Sequence, residues 1–157
     1  MQIVKALPPN IDELDLVFGV RKLLAQNPIW FAWGDRIYNP NGVEIPPQTM
    51  AHESIHGLQH KMERDAVISL EHGIRAWWLK YLADPAFRLD QEIPAHQAEY
   101  QWLVERAHTL KPKKGYRSPL HWYLQQIALR LSGSLYGNLV SLSEAKRLIE
   151  ARDRISA

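Results

Sequence analysis

The chain has 157 residues, of which 46% are hydrophobic and 10% aromatic, so it can fold around one core and is not intrinsically disordered. Its 19 basic and 17 acidic residues nearly balance, which excludes a protein that depends on nucleic-acid phosphates. The absence of cysteine excludes disulfide frameworks, thiol nucleophiles and cysteine-bound metals, so any metal must be held by His, Asp or Glu.

The N-terminal part of the chain combines a helix with short extended segments. Helical spacing of apolar residues predicts a first helix over residues 11–26. The aromatic stretch 29–38, interrupted by Gly34-Asp35, predicts two short strands joined by a turn. Residues 39–42 form a strong turn signal, and residues 43–45 have the composition of a returning strand. A small sheet of two or three strands is therefore expected here.

Helices dominate the rest of the chain. Their predicted ranges are 50–63, 65–83, Asp90 or Gln91 to about Leu110, 119–132 and Ser141 to about 154. Pro94 fits the third of these helices only if it lies near the first turn. The order of elements predicts a mainly helical α+β fold, organised as a single domain over residues 1–157 with its core at about 11–132.

The sequence shows no targeting segment. No run of about 18 apolar residues is present, so no membrane span is predicted, and the N-terminus lacks a signal-peptide pattern. The lack of cysteine fits a reducing compartment. We therefore expect a cytoplasmic protein.

The most informative segment contains the pattern His-Glu-x-x-His, at His52-Glu53 and His56, inside the second predicted helix. Residues four positions apart leave a helix on nearly the same face, so the two imidazoles can bind one metal ion. Glu53 lies beside that face, where its carboxylate can accept a proton from a water molecule at the metal. The motif therefore predicts a divalent metal site.

A catalytic zinc site needs a third protein ligand, because its fourth position is left open. His60 is eight residues from His52, about 12 Å along a helix, so the two rings cannot meet at one ion. We expect His60 at the helix surface, or as a residue that supports a ligand. The helix predicted from Asp90 or Gln91 places Glu92, His96 and Glu99 on one face, and each of them can supply the third ligand.

With these residues the chain resembles the zincin metallopeptidases whose third zinc ligand is a glutamate, the gluzincins, in their small bacterial and phage form. The resemblance covers about residues 29–107. The motifs that carry it are His52-Glu53-x-x-His56, Gln59 and Glu92-x-x-Ala95. The chain departs from large members at His96, where those often have an aspartate, and so His96 and Glu99 stay alternatives to Glu92.

The resemblance implies a minimal zincin fold and zinc-dependent hydrolysis of peptide or other amide bonds. It implies His52, His56 and Glu92 as ligands of Zn²⁺ and Glu53 as the catalytic base. A hydrogen-bond donor for the developing oxyanion is also expected. The preferred candidate is Tyr136, in a loop-like segment that can cover the cleft, ahead of Tyr100, His121 and Tyr123.

Two other functions fit the same sequence. A catalytically silent zincin-like domain would bind metal as an assembly module, for example on a phage particle, although it would have no need of Glu53. A metal-independent helical interaction domain would carry the histidine motif by accident. Under the leading interpretation the partner is a peptide or protein substrate, and no nucleic acid is expected.

Overall fold

The computed structural model describes residues 1–151, except for the side chain of Arg64. Within these residues the chain forms seven α-helices and one small sheet. In chain order the elements are β1 (Gln2–Val4), α1 (Ile11–Phe18), α2 (Val20–Leu24), β2 (Phe31–Trp33), β3 (Arg36–Tyr38), α3 (Pro47–Met62), α4 (Leu70–Ala83), α5 (Pro85–Glu105), α6 (Pro119–Leu131) and α7 (Leu142–Glu150). The predicted class, a mainly helical α+β fold with a small sheet, is confirmed. None of the helices within residues 1–151 combines the length and apolarity that a membrane span requires.

The sheet has β3 at its centre. β1 pairs with β3 in parallel, and β2 pairs with it on the other edge in antiparallel orientation. The strand pair over residues 29–38 was predicted, whereas the N-terminal strand was not. The returning strand proposed for residues 43–45 is wrong: both edges of β3 are already paired, and the carbonyl of Val43 accepts a hydrogen bond from Asn39 Nδ2 at 2.7 Å.

The helices predicted over residues 11–26 and 65–83 both differ from those in the structure. The helix expected over residues 11–26 is broken at Gly19, whose φ of 63° lies in the left-handed region that ends helices. The helix expected from residue 65 begins at Leu70, because the Ser69 side chain caps it by accepting from the backbone N–H of His72. A short 3₁₀ turn, Arg64–Val67, occupies the interval.

Helix α5 is longer at its start than the sequence indicated. It begins at Pro85 rather than near Asp90, because Asp84 caps it and Pro85 fits the first turn. Pro94 consequently lies in the interior of the helix, not near its start, and removes one backbone donor there. The helix ends at Glu105 instead of Leu110.

The C-terminal helices follow the prediction more closely. Helix α6 spans Pro119–Leu131, close to the predicted 119–132, and its first turn is capped by Ser118. Helix α7 is capped by Ser141 as expected and ends at Glu150. Residues 152–154 of the predicted last helix lie outside the described residues.

Helix α3 is fixed against the turn between β2 and β3 by two residues. A Cβ atom on Gly57 would lie 2.5 Å from the carbonyl oxygen of Gly34, so only glycine permits this approach. One turn on, Nδ1 of His60 accepts the backbone N–H of Gly34 at 3.1 Å. His60 is fully buried rather than at the helix surface, and burial lowers its pKa to about 3 with a smaller effect of His56, so the ring is neutral and can accept.

Replacing Gly57 with alanine tests this close approach. Alanine is favoured over glycine in a helix interior by about 1 kcal/mol, so propensity alone predicts stabilisation. We expect Gly57→Ala to lower the free energy of unfolding by about 1–3 kcal/mol, since the added methyl meets a backbone carbonyl. Chemical denaturation measures the change, with Leu58→Ala on the exposed side of α3 as the matched control. A stabilised Gly57→Ala variant would contradict the contact.

Candidate metal centre

Six ionisable side chains meet where α3 packs against α5. They are His52, Glu53 and His56 from α3 and Glu92, His96 and Glu99 from α5. Each is buried, with exposed fractions between 1% and 9%. Buried charges are normally paired or bound to metal, so such a cluster requires a positive charge among its carboxylates.

Three of these residues, His52, His56 and Glu92, place their nitrogen and oxygen atoms close together. Nε2 of His52 and Nε2 of His56 are 3.1 Å apart. The two oxygens of Glu92 each lie 3.4 Å from one of them, Oε2 from His52 and Oε1 from His56. Ligands about 2.0–2.1 Å from a tetrahedral zinc ion are about 3.4 Å apart, so this spacing fits one zinc ion.

Hydrogen bonds outside this group determine which nitrogen of His56 carries a proton. Gln59 Nε2 donates to the backbone carbonyl of Gln91 at 2.8 Å, and a carbonyl can only accept. The other end of the Gln59 amide, Oε1, therefore faces His56 Nδ1 at 2.8 Å and accepts its proton. In the neutral ring Nε2 then carries a lone pair, which is the state a metal ligand needs.

Glu92 is held by a residue that the sequence analysis did not assign to the site. The hydroxyl of Tyr81 donates to Glu92 Oε1 at 2.6 Å, while Oε2 has no hydrogen-bond partner within residues 1–151. Burial would raise the pKa of Glu92, but the imidazoles of His56 and His52, each 3.4 Å from one of its oxygens, hold that pKa well below its usual range. Glu92 is therefore an anion with one oxygen available to a cation.

A second group of possible ligands shares His52 with the first. His52, His96 and Glu99 also offer ligand atoms within 4.8 Å of one another. Glu99 Oε2 lies 3.1 Å from His96 Nδ1 and 3.6 Å from His52 Nδ1, and its other oxygen accepts from Arg130 Nη2 at 2.6 Å. Both oxygens of Glu99 thus already have donors, which fits a carboxylate that orients the rings.

The ring of His96 leaves one nitrogen without a partner. Burial, together with the charge of His52, lowers the pKa of His96 to about 4, so the ring is neutral. Its Nδ1 faces Glu99, and its Nε2 lies 3.5 Å from Glu92 Oε2 with no hydrogen-bond partner in the described part of the chain. Two buried acceptors that face each other favour a cation nearby.

Without a metal ion, a proton on His52 provides the positive charge. Burial would lower the pKa of His52, but the carboxylates of Glu92 and Glu99 outweigh it and raise the pKa to about 10. The imidazolium lies between the two carboxylates, 3.4 Å from one and 3.6 Å from the other. A metal ion and this proton therefore compete for the same position.

Glu53 lies beside the three converging ligand atoms and not among them. Burial raises its pKa, and the charges of His52 and His56 and a hydrogen bond to the backbone of Ala32 act in the opposite direction. A carboxyl with a raised pKa is a stronger proton acceptor than an ordinary glutamate. Its electrostatic coupling to His52, His56 and Glu92 places it close to the candidate ligands.

A cavity of about 260 Å³ reaches the cluster from the surface. Tyr136, in the 3₁₀ turn Ser134–Tyr136, lines this cavity, and its ring centre is 6.0 Å from that of His96. Burial, with the nearby Glu92 carboxylate, raises the pKa of Tyr136 well above its usual value, so the hydroxyl keeps its proton. The other candidates, Tyr100, His121 and Tyr123, are not among the residues that line it.

No family model, no curated protein and no solved structure matches this chain. Three histidines and two carboxylates are arranged so that they can hold a metal ion.

The protonation of His52 in metal-free protein provides a direct test of the cluster. At pH 8 we expect both nitrogens of His52 to carry protons, because its pKa is about 10, whereas His60, with a pKa of about 3, stays neutral. The stabilisation from the raised pKa is complete below about pH 6.5 and is lost as the pH rises through 10. Nitrogen NMR shifts of the imidazoles measure both states.

Adding zinc to the same sample extends the test. Zinc should remove a proton from His52 and shift the Nε2 signals of His52 and His56, with His60 unchanged as an internal control. A neutral His52 at pH 8 would contradict the charge assignment. A shift at His96 in place of His56 would move the ion to the second group.

Proposed function

We propose that the protein is a zinc-dependent peptidase of the gluzincin type, which hydrolyses peptide or similar amide bonds. The observation that supports it most is the convergence of His52, His56 and Glu92. The two Nε2 atoms are 3.1 Å apart, and each lies 3.4 Å from a different oxygen of Glu92, Oε2 for His52 and Oε1 for His56. These distances are close to those between neighbouring ligands of a zinc ion. All three residues line the cavity, so an ion held by them would face it.

Zinc fits the donor set better than the other common divalent ions. Two imidazoles and one carboxylate form a known catalytic zinc set, whereas Ca²⁺ and Mg²⁺ prefer oxygen ligands alone. Glu92 is the preferred third ligand because its Oε2 accepts no hydrogen bond within residues 1–151, while both oxygens of Glu99 have hydrogen-bond donors. His96 then lies beside Glu92, and Glu99 lies beside His52, where each can orient the neighbouring ligand.

The chemistry divides among the residues at the site. A zinc ion held by the three ligands would polarise the substrate carbonyl and make a water molecule more acidic. Glu53 accepts a proton from that water as its oxygen bonds to the carbonyl carbon, and later delivers the proton to the departing amine. The Tyr136 hydroxyl, which keeps its proton, donates to the developing oxyanion. The products are a carboxylate and a free amine.

The state of Glu53 favours an enzyme over a silent assembly module. Burying a carboxyl group opposes stability unless it is fully compensated, and burial raises the pKa of Glu53. A domain that used the metal only for structure would gain from an apolar residue at this position. The assembly module is retained as one outcome of the experiment below.

Replacing Glu53 with glutamine separates catalysis from metal binding. We expect Glu53→Gln to keep one zinc per chain, since the ligands are untouched, and to lose about 100-fold or more in kcat, since no proton acceptor remains. Zinc content by elemental analysis and cleavage of a mixed peptide library by mass spectrometry measure the two quantities. The exposed Glu44→Gln variant is the matched control.

The outcomes of that experiment distinguish the three interpretations. Chelator-sensitive cleavage that depends on Glu53 supports the peptidase. Bound zinc without any cleavage by the wild-type protein supports the assembly module. Wild-type protein that binds no zinc would mean that the histidine pattern is accidental.

The oxyanion role of Tyr136 has its own test. Tyr136→Phe removes only the hydroxyl, and we expect kcat to fall about 10- to 1000-fold with little change in zinc affinity. Tyr100→Phe is the control, because Tyr100 does not line the cavity. Equal kinetics for wild-type protein and Tyr136→Phe would assign the tyrosine to packing alone.

A further inference from the structure

The cavity above the candidate metal centre has two chemically different ends, which follow the axis of α5. At one end, Phe18 of α1 lines the cavity, and its ring lies against Arg88 of α5, with 4.8 Å between the guanidinium carbon and the ring centre; Arg88 itself is not part of the lining. At the other end, Glu99 of α5 binds Arg130 of α6. Arg88 and Glu99 are 11 residues apart, about 16 Å along the helix, and Glu92 lies between them.

The end near α1 and α2 is apolar. The residues that line it are Leu14, Phe18, Val20, Leu23, Pro28 and Ile29. They offer no side-chain hydrogen bond to a substrate, so this wall favours apolar groups. The opposite end has a charge.

Arg130 provides that charge. Among the described residues that line the cavity, it is the only arginine or lysine. Its side chain is 51% exposed, and within residues 1–151 its one side-chain hydrogen bond is the bond from Nη2 to Glu99. A guanidinium has five N–H donors in a planar fork, so four of them make no hydrogen bond within residues 1–151 and are available to a ligand in the cavity.

We infer that Arg130 binds a free carboxylate of the substrate, on the amine side of the bond that is cleaved. This inference rests on the proposed peptidase function and narrows it to substrates that end near the cleaved bond. One extended residue spans about 3.3–3.6 Å, and the guanidinium is separated from the ligand nitrogen of His52 by one carboxylate and one imidazole. The preferred substrates are therefore peptides that lose one or two residues from the C-terminus.

The charge balance of the site supports a carboxylate as the ligand of Arg130. Glu99 neutralises one edge of the guanidinium and leaves the solvent-facing edge to a second anion. Arginine binds carboxylates through paired, charge-assisted hydrogen bonds, and these discriminate strongly against a neutral amide. The apolar wall at the far end would contact the residue that precedes the cleaved bond.

Three peptides of one sequence test the assignment. The first peptide ends in a free carboxylate and the second in an amide. The third also ends in an amide, but an aspartate at its C-terminal end supplies a side-chain carboxylate. We expect wild-type kcat/KM to be about tenfold or more higher for the free acid than for the amide. In Arg130→Gln this ratio should approach one, and Arg130→Lys, which keeps the charge without the fork, should be intermediate.

The ratio separates a binding role from a structural one. If Arg130 only stabilised Glu99, Arg130→Gln would slow both peptides equally and leave the ratio at its wild-type value, which would overturn the inference. Arg147→Gln is the matched control, since Arg147 also pairs with a glutamate but lies on α7, away from the cavity. Preference for the aspartate peptide over the free acid would assign the site to side-chain carboxylates.

A binding measurement keeps the inference testable if no peptide is cleaved. Zinc-loaded Glu53→Gln protein should bind the free-acid peptide about tenfold tighter than its amide, and the added change Arg130→Gln should remove that difference. This result, combined with an absence of cleavage by the wild-type protein, would reject the peptidase and keep the carboxylate site. A difference that persists in the Arg130→Gln protein would mean that the carboxylate binds elsewhere, and it would overturn the inference.

Discussion

The burial of six ionisable side chains between α3 and α5 is the constraint on which the rest of the structure depends. Buried carboxylates destabilise the fold unless a cation lies among them. A proton on His52 meets that need, and a metal ion held by the same cluster would supply the positive charge in its place. The stability of the α3–α5 interface and its capacity to hold a metal ion therefore depend on the same imidazole.

The local part of the site was predictable from the sequence, because it depends on helix geometry alone. His52 and His56 are one turn apart in a single helix, and no tertiary contact is needed to place them together. The later helix was recognised, but its start was not, since Asp84-Pro85 indicated only an end. The same dipeptide ends α4 and caps α5, so Glu92 lies in the third turn of a long helix.

The parts that depend on contacts between distant segments were not predictable from spacing. Tyr81 reaches Glu92 because α4 packs beside α5, and Arg130 reaches Glu99 from α6. Neither residue has a local pattern that distinguishes it from a surface or core residue. Strand β1 was missed for the same reason: three residues become a strand only because β3 offers a free edge.

The approach of α3 to the β2–β3 turn has a consequence for recognising related chains. Gly57 and His60 follow the histidine pair in a fixed order, and both contact the backbone of Gly34. A distant relative with this architecture would have to keep the signature His-Glu-x-x-His-Gly-x-x-His, together with a glycine in the preceding hairpin. Such a pattern is far more selective than the five-residue motif. It specifies the residues that pack the helix against the hairpin as well as the candidate metal ligands.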